Sequence, residues 1–152
     1  MNILLRDVTE SDLPSLYQYQ LDPEATAMAA FPSRDHDAFM AHSAKVMANP
    51  ALIFKAIVCD GQVAGSIVSW QMEGEWEVGY WLGKEYWGRG IATQALAEYI
   101  QSVTTRPLYA HVAQHNIGSR RVLEKCGFKV IGEDSYTNPA GVNVEEFMLK
   151  LE

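Results

Sequence analysis

Cysteines and long apolar runs are scarce in this sequence, and each shortage excludes a class of protein. The 152 residues include 2 cysteines, Cys59 and Cys126, and two isolated cysteines form neither a disulfide framework nor a metal-ligand cluster. No apolar run approaches the roughly 18 residues of a membrane-spanning helix, and the first residues lack the pattern of a signal peptide. We therefore expect a cytoplasmic protein that spans no membrane and binds no metal.

Basic residues are also in short supply, since 12 Lys and Arg stand against 19 Asp and Glu, for a net charge of −7. A general nucleic-acid binder needs clustered Lys and Arg to neutralise phosphates, so nucleic acid is not an expected partner. Residues 83–130 carry 7 basic and 3 acidic side chains, whereas residues 1–82 carry 4 and 11 and residues 131–152 carry 1 and 5. A basic middle segment thus lies between acidic flanks, an asymmetry that chance alone can also produce.

The sequence does contain the pattern of one mixed α/β domain. With 48% hydrophobic residues, a chain of this length can bury about 70% of its surface and needs no disulfide for stability. Period-two polarity and turns at Asp60-Gly61 and Glu73-Gly74 predict strands over residues 2–8, 52–59, 63–72, 76–82, 108–113, 128–134 and 144–151. Apolar spacing of three and four predicts helices over residues 11–21, 35 or 37 to 48, 92–105 and 116–125. We expect the helices to cover a mostly antiparallel sheet.

The segment with most chemical content is the glycine-rich stretch that joins a predicted strand to a predicted helix. It contains Gly83, Gly88 and Gly90, and glycines there let backbone amides converge on an anion at the positive end of the helix dipole. A phosphate is therefore the natural ligand. The glycines by themselves favour the alternative, a tight strand-to-helix turn that binds nothing.

Two familiar phosphate loops do not fit this stretch. The nucleotide-triphosphate loop needs lysine and a hydroxyl residue where Arg89 and Gly90 stand. The dinucleotide fingerprint needs a glycine where Thr93 stands and an acidic residue about 20 positions later, but residues 99–123 contain no Asp or Glu. Both nucleotide sites are rejected.

The run Trp87-Gly88-Arg89-Gly90-Ile91-Ala92 instead resembles the pyrophosphate loop of the GNAT superfamily, the acyl-CoA-dependent N-acetyltransferases. Trp87 departs from the superfamily pattern, but the run is similar to the branch of ribosomal-protein-alanine N-acetyltransferases. A second family signature is present as Asn116-Ile117-Gly118-Ser119 and Glu124-Lys125-Cys126-Gly127-Phe128. The resemblance implies one acyl-CoA N-acyltransferase domain over residues 1–152. Its sheet would have about seven strands, splayed between the fourth and fifth, with about four flanking helices.

The resemblance also implies a cofactor site for acetyl-CoA. The strand before the loop would offer backbone groups to the pantetheine, the loop would hold the pyrophosphate, and the second signature would contact the cofactor from the other side. The implied residues are Tyr80, Trp81, Leu82, Trp87, Gly88, Arg89, Gly90, Ile91, Ala92, Thr93, Asn116 and Ser119. Asn116 has an alternative role as a helix N-cap, and both roles can coexist.

The catalytic residues implied by the resemblance are Glu77 and Ser119. Glu77 lies on the strand before the loop and is the candidate base, directly or through water, with Glu73 and Glu75 as alternatives. The helix tyrosine that often protonates the departing thiolate is Leu123 here. Ser119 is ranked first as acid, before Tyr136 or solvent, because the branch that the sequence resembles contains enzymes that use a serine there.

The acceptor is predicted less directly. The acidic segment 1–82 favours a cationic amine such as a protein N-terminus or a small polyamine-like molecule. Trp70, Trp76 and Tyr80 are candidate walls of the acceptor site, and His111 is expected to pack beside or line the cleft rather than bind metal. The rival hypotheses are a noncatalytic acyl-CoA-binding module and a lysine-directed or antibiotic-directed transferase. A monomer and a homodimer both fit.

Overall fold

The computed structural model describes residues 1–152 and contains one seven-stranded sheet in the order β1-β2-β3-β4-β5-β7-β6. The strands are β1 (Ile3–Asp7), β2 (Ile53–Cys59), β3 (Gln62–Met72), β4 (Glu75–Leu82), β5 (Leu108–Ala113), β6 (Lys129–Thr137) and β7 (Asn143–Leu151). All neighbouring strands are antiparallel except β4 and β5, which are parallel. The predicted mixed, mostly antiparallel sheet is confirmed.

Five α-helices flank the sheet, one more than predicted. They are α1 (Leu13–Leu21), α2 (Pro23–Ala29), α3 (His36–Ala48), α4 (Ile91–Ser102) and α5 (Ile117–Lys125). The helix that the sequence did not predict is α2. The dipeptide Asp22-Pro23 indicated only that α1 ends there. The same dipeptide also begins α2, since the Asp22 carboxylate accepts hydrogen bonds from the amides of Glu24 and Ala25 and Pro23 takes the first helical position.

The two predicted hairpin turns are present. Asp60-Gly61 joins β2 to β3 with φ values of 48° and 83°, and Glu73-Gly74 joins β3 to β4 with 52° and 83°. Both residues of each turn are left-handed, as a tight turn between twisted strands requires. These turns fix the register that aligns β4 with β3 along its whole length.

Two hydrophobic clusters lie on opposite faces of the sheet. The larger includes Leu96 and Tyr99 of α4 with Ile57 of β2, and the smaller includes Leu13 and Leu16 of α1. Ala56 and Val58 belong to the smaller cluster and alternate along β2 with Ile57, so the clusters occupy opposite faces. We call them the α4–α5 face and the α1–α3 face.

The sheet divides between β4 and β5. Only Trp76 with Leu108 and Glu77 with Tyr109 are paired there, whereas β4 pairs with β3 from Glu75 to Leu82. Beyond Glu77, β4 therefore has a partner on one side only, and the backbone groups on its other side face a cleft. The predicted splaying between the fourth and fifth strands is confirmed.

Candidate active site

The loop that follows β4 is held back against the end of that strand. The Gly83 amide donates to the Ala64 carbonyl at 2.8 Å, and the Trp87 indole donates to the Leu82 carbonyl at 3.0 Å. Gly88 and Gly90 then adopt φ values of 73° and 77°. Any other residue would be strained in these left-handed conformations, so the glycines let the chain turn sharply into α4.

The turn leaves a row of backbone amides without partners. None of the amides of residues 88–93 donates to a carbonyl or a side chain. A Cβ added at Gly88 or Gly90 would meet nothing within 4 Å, so the space beside the loop is open. Free amides at the positive end of a 12-residue helix suit an anion. Arg89 adds an exposed cation, with its guanidinium carbon 5.7 Å from the centre of the Tyr86 ring.

The second signature begins α5 on the same face of the sheet. The Asn116 side chain accepts a hydrogen bond from the Ser119 amide at 3.2 Å, so the capping role expected of Asn is present. Tyr80 reaches from β4 across to α5, where its hydroxyl lies 2.8 Å from the Ser119 Oγ. Burial raises the pKa of Tyr80 to about 12, so the phenol is protonated at neutral pH and can donate to Ser119. Leu123 is buried in the core.

Glu77 lies on the opposite, α1–α3 face and makes an ion pair that nothing in the sequence indicated. Its Oε1 is 2.5 Å from Nδ1 of His111 on β5. The Glu77 side chain is 3% exposed and that of His111 is 27% exposed. The hydrogen bond to Glu77 raises the pKa of His111 above its ordinary value, while partial burial opposes that rise. The two alternatives to Glu77 are exposed, Glu73 in the turn before β4 and Glu75 at the first residue of β4.

Further acidic groups surround this pair on the same face. Glu146 of β7 lies opposite Asp134 of β6, and both act on His111 to raise its pKa. Burial raises the pKa of Glu146, the His111 charge opposes that rise, and Asp134 and Glu77 add to it. Tyr136, a candidate acid, also lies on this face by its register with β7 and is therefore on the opposite face from Ser119.

The aromatic residues expected to wall an acceptor site divide between the faces. Trp70 is directly opposite Glu77 in the β3–β4 register, and Gly79 leaves room for its indole, because a Cβ there would lie 3.2 Å from the ring. Trp76 and Tyr80 instead pack against the larger core. Only Trp70 thus stands beside Glu77.

Helix α2 lies along the edge of this region and is fixed by three contacts. His115 Nε2 is 2.8 Å from the Ala27 carbonyl, Asn138 donates to the Ala30 carbonyl at 2.9 Å, and Lys84 pairs with Glu24 at 2.7 Å. These contacts place α2 beside β5. An aspartate followed by proline was the available signal for this helix, since those residues are favoured at the N-cap and first helical position.

Cys59 and Cys126 are free thiols. No three His, Cys, Asp or Glu side chains are grouped as metal ligands. None of the helices is both long and apolar enough to cross a membrane.

The loop, the divided strands and the pair of signatures agree with a family model. Residues 2–129 match the model described as an acetyltransferase (GNAT) domain. The chain belongs to the GNAT acetyltransferase family. It is an acetyl-CoA-dependent N-acetyltransferase, and the resemblance identified in the sequence is confirmed.

Solved structures are similar to this GNAT enzyme over nearly its whole length. A ribosomal-protein-alanine N-acetyltransferase from Brucella melitensis has 22% identity and a TM-score of 0.81, covering 97% of this chain and 98% of that one. A spermidine N-acetyltransferase from Vibrio cholerae, solved with CoA and spermine, has 16% identity and a TM-score of 0.83, covering 98% and 94%.

A phosphinothricin acetyltransferase from Sinorhizobium meliloti, solved with AcCoA, has 20% identity and a TM-score of 0.83, covering 99% of this chain and 88% of that one. No curated protein matches the sequence significantly. At these identities the likenesses describe the fold.

Proposed function

We propose that this GNAT enzyme, acting as one domain over residues 1–152, transfers the acetyl group of acetyl-CoA to a primary amine by direct attack in a ternary complex. The proposed acceptor is a protein N-terminus or a small cationic amine. The observation that carries this proposal is the cleft between β4 and β5, because it joins the open loop on one face to Glu77 on the other.

The residues around the loop fit the cofactor. In the proposed site the free amides of residues 88–93 and the Arg89 charge hold the pyrophosphate, with the Trp87 side chain bracing the loop. The unpaired edge of β4 from Tyr80 through Trp81 to Leu82 offers its backbone to the pantetheine arm. Asn116 and Ser119 approach from α5. When bound, acetyl-CoA supplies an acetyl group activated as a thioester.

The charges on the α1–α3 face favour a cationic acceptor. Glu77, Asp134 and Glu146 lie on this face around His111. Negative charges that line a cleft raise the local concentration of cations there. Amines are the named ligands or substrates of two similar enzymes, spermine in the Vibrio cholerae complex and ribosomal-protein alanine in the Brucella melitensis enzyme.

Proton transfer in the proposed reaction uses both faces. The amine must lose a proton, which goes toward Glu77 either directly or through an intermediary. On the other face the Ser119 hydroxyl can donate a proton to the departing sulfur while Tyr80 donates to Ser119. A backbone amide on the free edge of β4 would stabilise the negative charge that develops on the carbonyl oxygen.

Release of free CoA thiol tests the proposal. Purified protein with acetyl-CoA should release thiol in the presence of peptides with free N-termini or of polyamines, and mass spectrometry should find one added acetyl group on the acceptor. The same peptides with a blocked N-terminus are the matched controls.

The outcomes of this assay separate the rival functions. CoA binding without turnover across the whole panel would favour a noncatalytic acyl-CoA-binding module. Turnover confined to lysine side chains or to aminoglycoside antibiotics would replace the proposed acceptor and keep the acetyltransferase activity.

A further inference from the structure

Glu77 is poorly placed to meet a substrate by itself. Its side chain is 3% exposed, and its Oε1 is already bonded to the His111 imidazole. The His111 imidazole therefore already occupies that oxygen. His111 is the partner with an accessible surface, at 27%.

We propose that His111 takes the proton from the acceptor amine and that Glu77 is a positioning residue that holds the imidazole through Nδ1. Both roles rest on the proposed function. His111 lies two residues beyond Tyr109, the last residue of β5 that pairs with β4. It therefore stands where the strands have already separated. Glu77 lies beside the closed end of the cleft.

The hydrogen bonding of the ring leaves one nitrogen for substrate. Nδ1 faces Glu77, and this pair is the only polar contact of the His111 ring within the protein, which leaves Nε2 without a partner. A carboxylate on Nδ1 fixes the tautomer in which Nδ1 carries the proton and Nε2 has a free lone pair. The same carboxylate stabilises the imidazolium that forms when Nε2 is protonated.

The step is balanced in atoms and protons. The amine nitrogen bonds to the acetyl carbon, the carbon–sulfur bond breaks, and Nε2 of neutral His111 takes one proton from the amine. The departing thiolate receives a proton from solvent, or from Ser119, which then regains a proton from solvent; an amide and a free thiol are left. His111 then returns its proton to solvent through its exposed edge.

The charges around His111 decide the direction of the pH dependence. Glu77 on β4, Glu146 on β7 and Asp134 on β6 raise its pKa. Lys150 on the same face of β7 lies by Tyr109 and pairs with Glu152, and the one charged residue of α2, Glu24, pairs with Lys84. Since the base must be neutral, activity should rise with pH through a pKa above the ordinary histidine value.

The test compares Glu77→Gln with His111→Gln at a saturating concentration of acetyl-CoA. Glu77→Gln keeps a hydrogen-bond acceptor for Nδ1 but removes the charge that stabilises the imidazolium, so the rise in kcat/KM should move to lower pH and kcat should fall, though by less than in His111→Gln. His111→Gln should lower kcat by about 100-fold or more and abolish that rise, with CoA affinity unchanged. His42→Gln, on the exposed side of α3, is the matched control and should match the wild type.

Two further measurements distinguish catalysis from structure. Added imidazole should partly restore turnover in His111→Ala, which a purely structural role would not allow. Nuclear magnetic resonance titration of the His111 ring should give a lower pKa in Glu77→Gln than in the wild type.

The inference and the proposed function fail in different ways. Near-normal turnover in His111→Gln, or a far larger loss in Glu77→Gln than in His111→Gln, would overturn the role of His111 and leave the acetyltransferase intact. Absence of acetyl transfer by the wild type to every amine would overturn both.

Discussion

At the cleft, one face of the sheet presents backbone groups and the other presents side chains. On the α4–α5 face the candidate cofactor site consists of backbone amides between residues 88 and 93, whose directions are set by two glycines and one helix. On the α1–α3 face the candidate acceptor site consists of side chains that come from three strands, Glu77, His111 and Glu146. A contiguous segment can specify the first face, whereas the second exists only after distant strands have come together.

The largest effect on CoA binding is expected from distorting the backbone on the α4–α5 face. Gly90→Val puts a branched residue at a φ of 77°, at a cost of about 1–2 kcal/mol. Loss of the loop geometry should weaken CoA binding by about tenfold or more, as measured by calorimetry. Gly61→Val is the matched control, because Gly61 also has a positive φ of 83° and open space around it but lies in the β2–β3 turn.

Both glycine variants should lower the thermal stability by similar amounts. Only Gly90→Val should change the affinity for CoA. Equal CoA affinity in the two variants would rule out the loop as the phosphate site.

A smaller effect is expected from removing charge at the same loop. Arg89→Ala should weaken CoA binding by about threefold to fivefold at low salt, because an exposed charge contributes about 1 kcal/mol or less. The difference from the wild type should shrink as ionic strength rises. Lys45→Ala removes an exposed cation from α3 and should leave CoA binding unchanged; an equal loss there would mean that only net charge matters.

The smallest effect concerns the α1–α3 face. Glu146→Gln should raise the KM for a polyamine by about twofold to fivefold and leave the affinity for CoA unchanged, since it removes a negative charge beside His111. Glu145→Gln is the matched control on the same strand, because Glu145 points to the opposite face and bonds Asn143. A change in CoA affinity rather than in KM would place Glu146 in the cofactor site.

Most of the fold could be predicted because its signals are local. Asp60-Gly61 and Glu73-Gly74 specify their turns in two residues each, and α4 shows its apolar spacing over three turns. The sequence did not predict helix α2, because 7 residues are too short to show a clear helical spacing of apolar side chains. Asp22-Pro23, which precedes and begins it, indicated only the end of α1. Its position depends instead on contacts with His115 and Asn138, which are distant in sequence.

The candidate site shows the same division between local signals and contacts that are distant in sequence. The sequence by itself determined the glycine loop and the second signature, because each is a short contiguous segment, and the two together indicated the family. Only the tertiary structure decided that Glu77 is buried against His111, that Tyr80 reaches Ser119, and that these two pairs lie on opposite faces. The reason is that β4 and β5 are adjacent in space but separated in sequence by a helix, and the direction of each side chain depends on register.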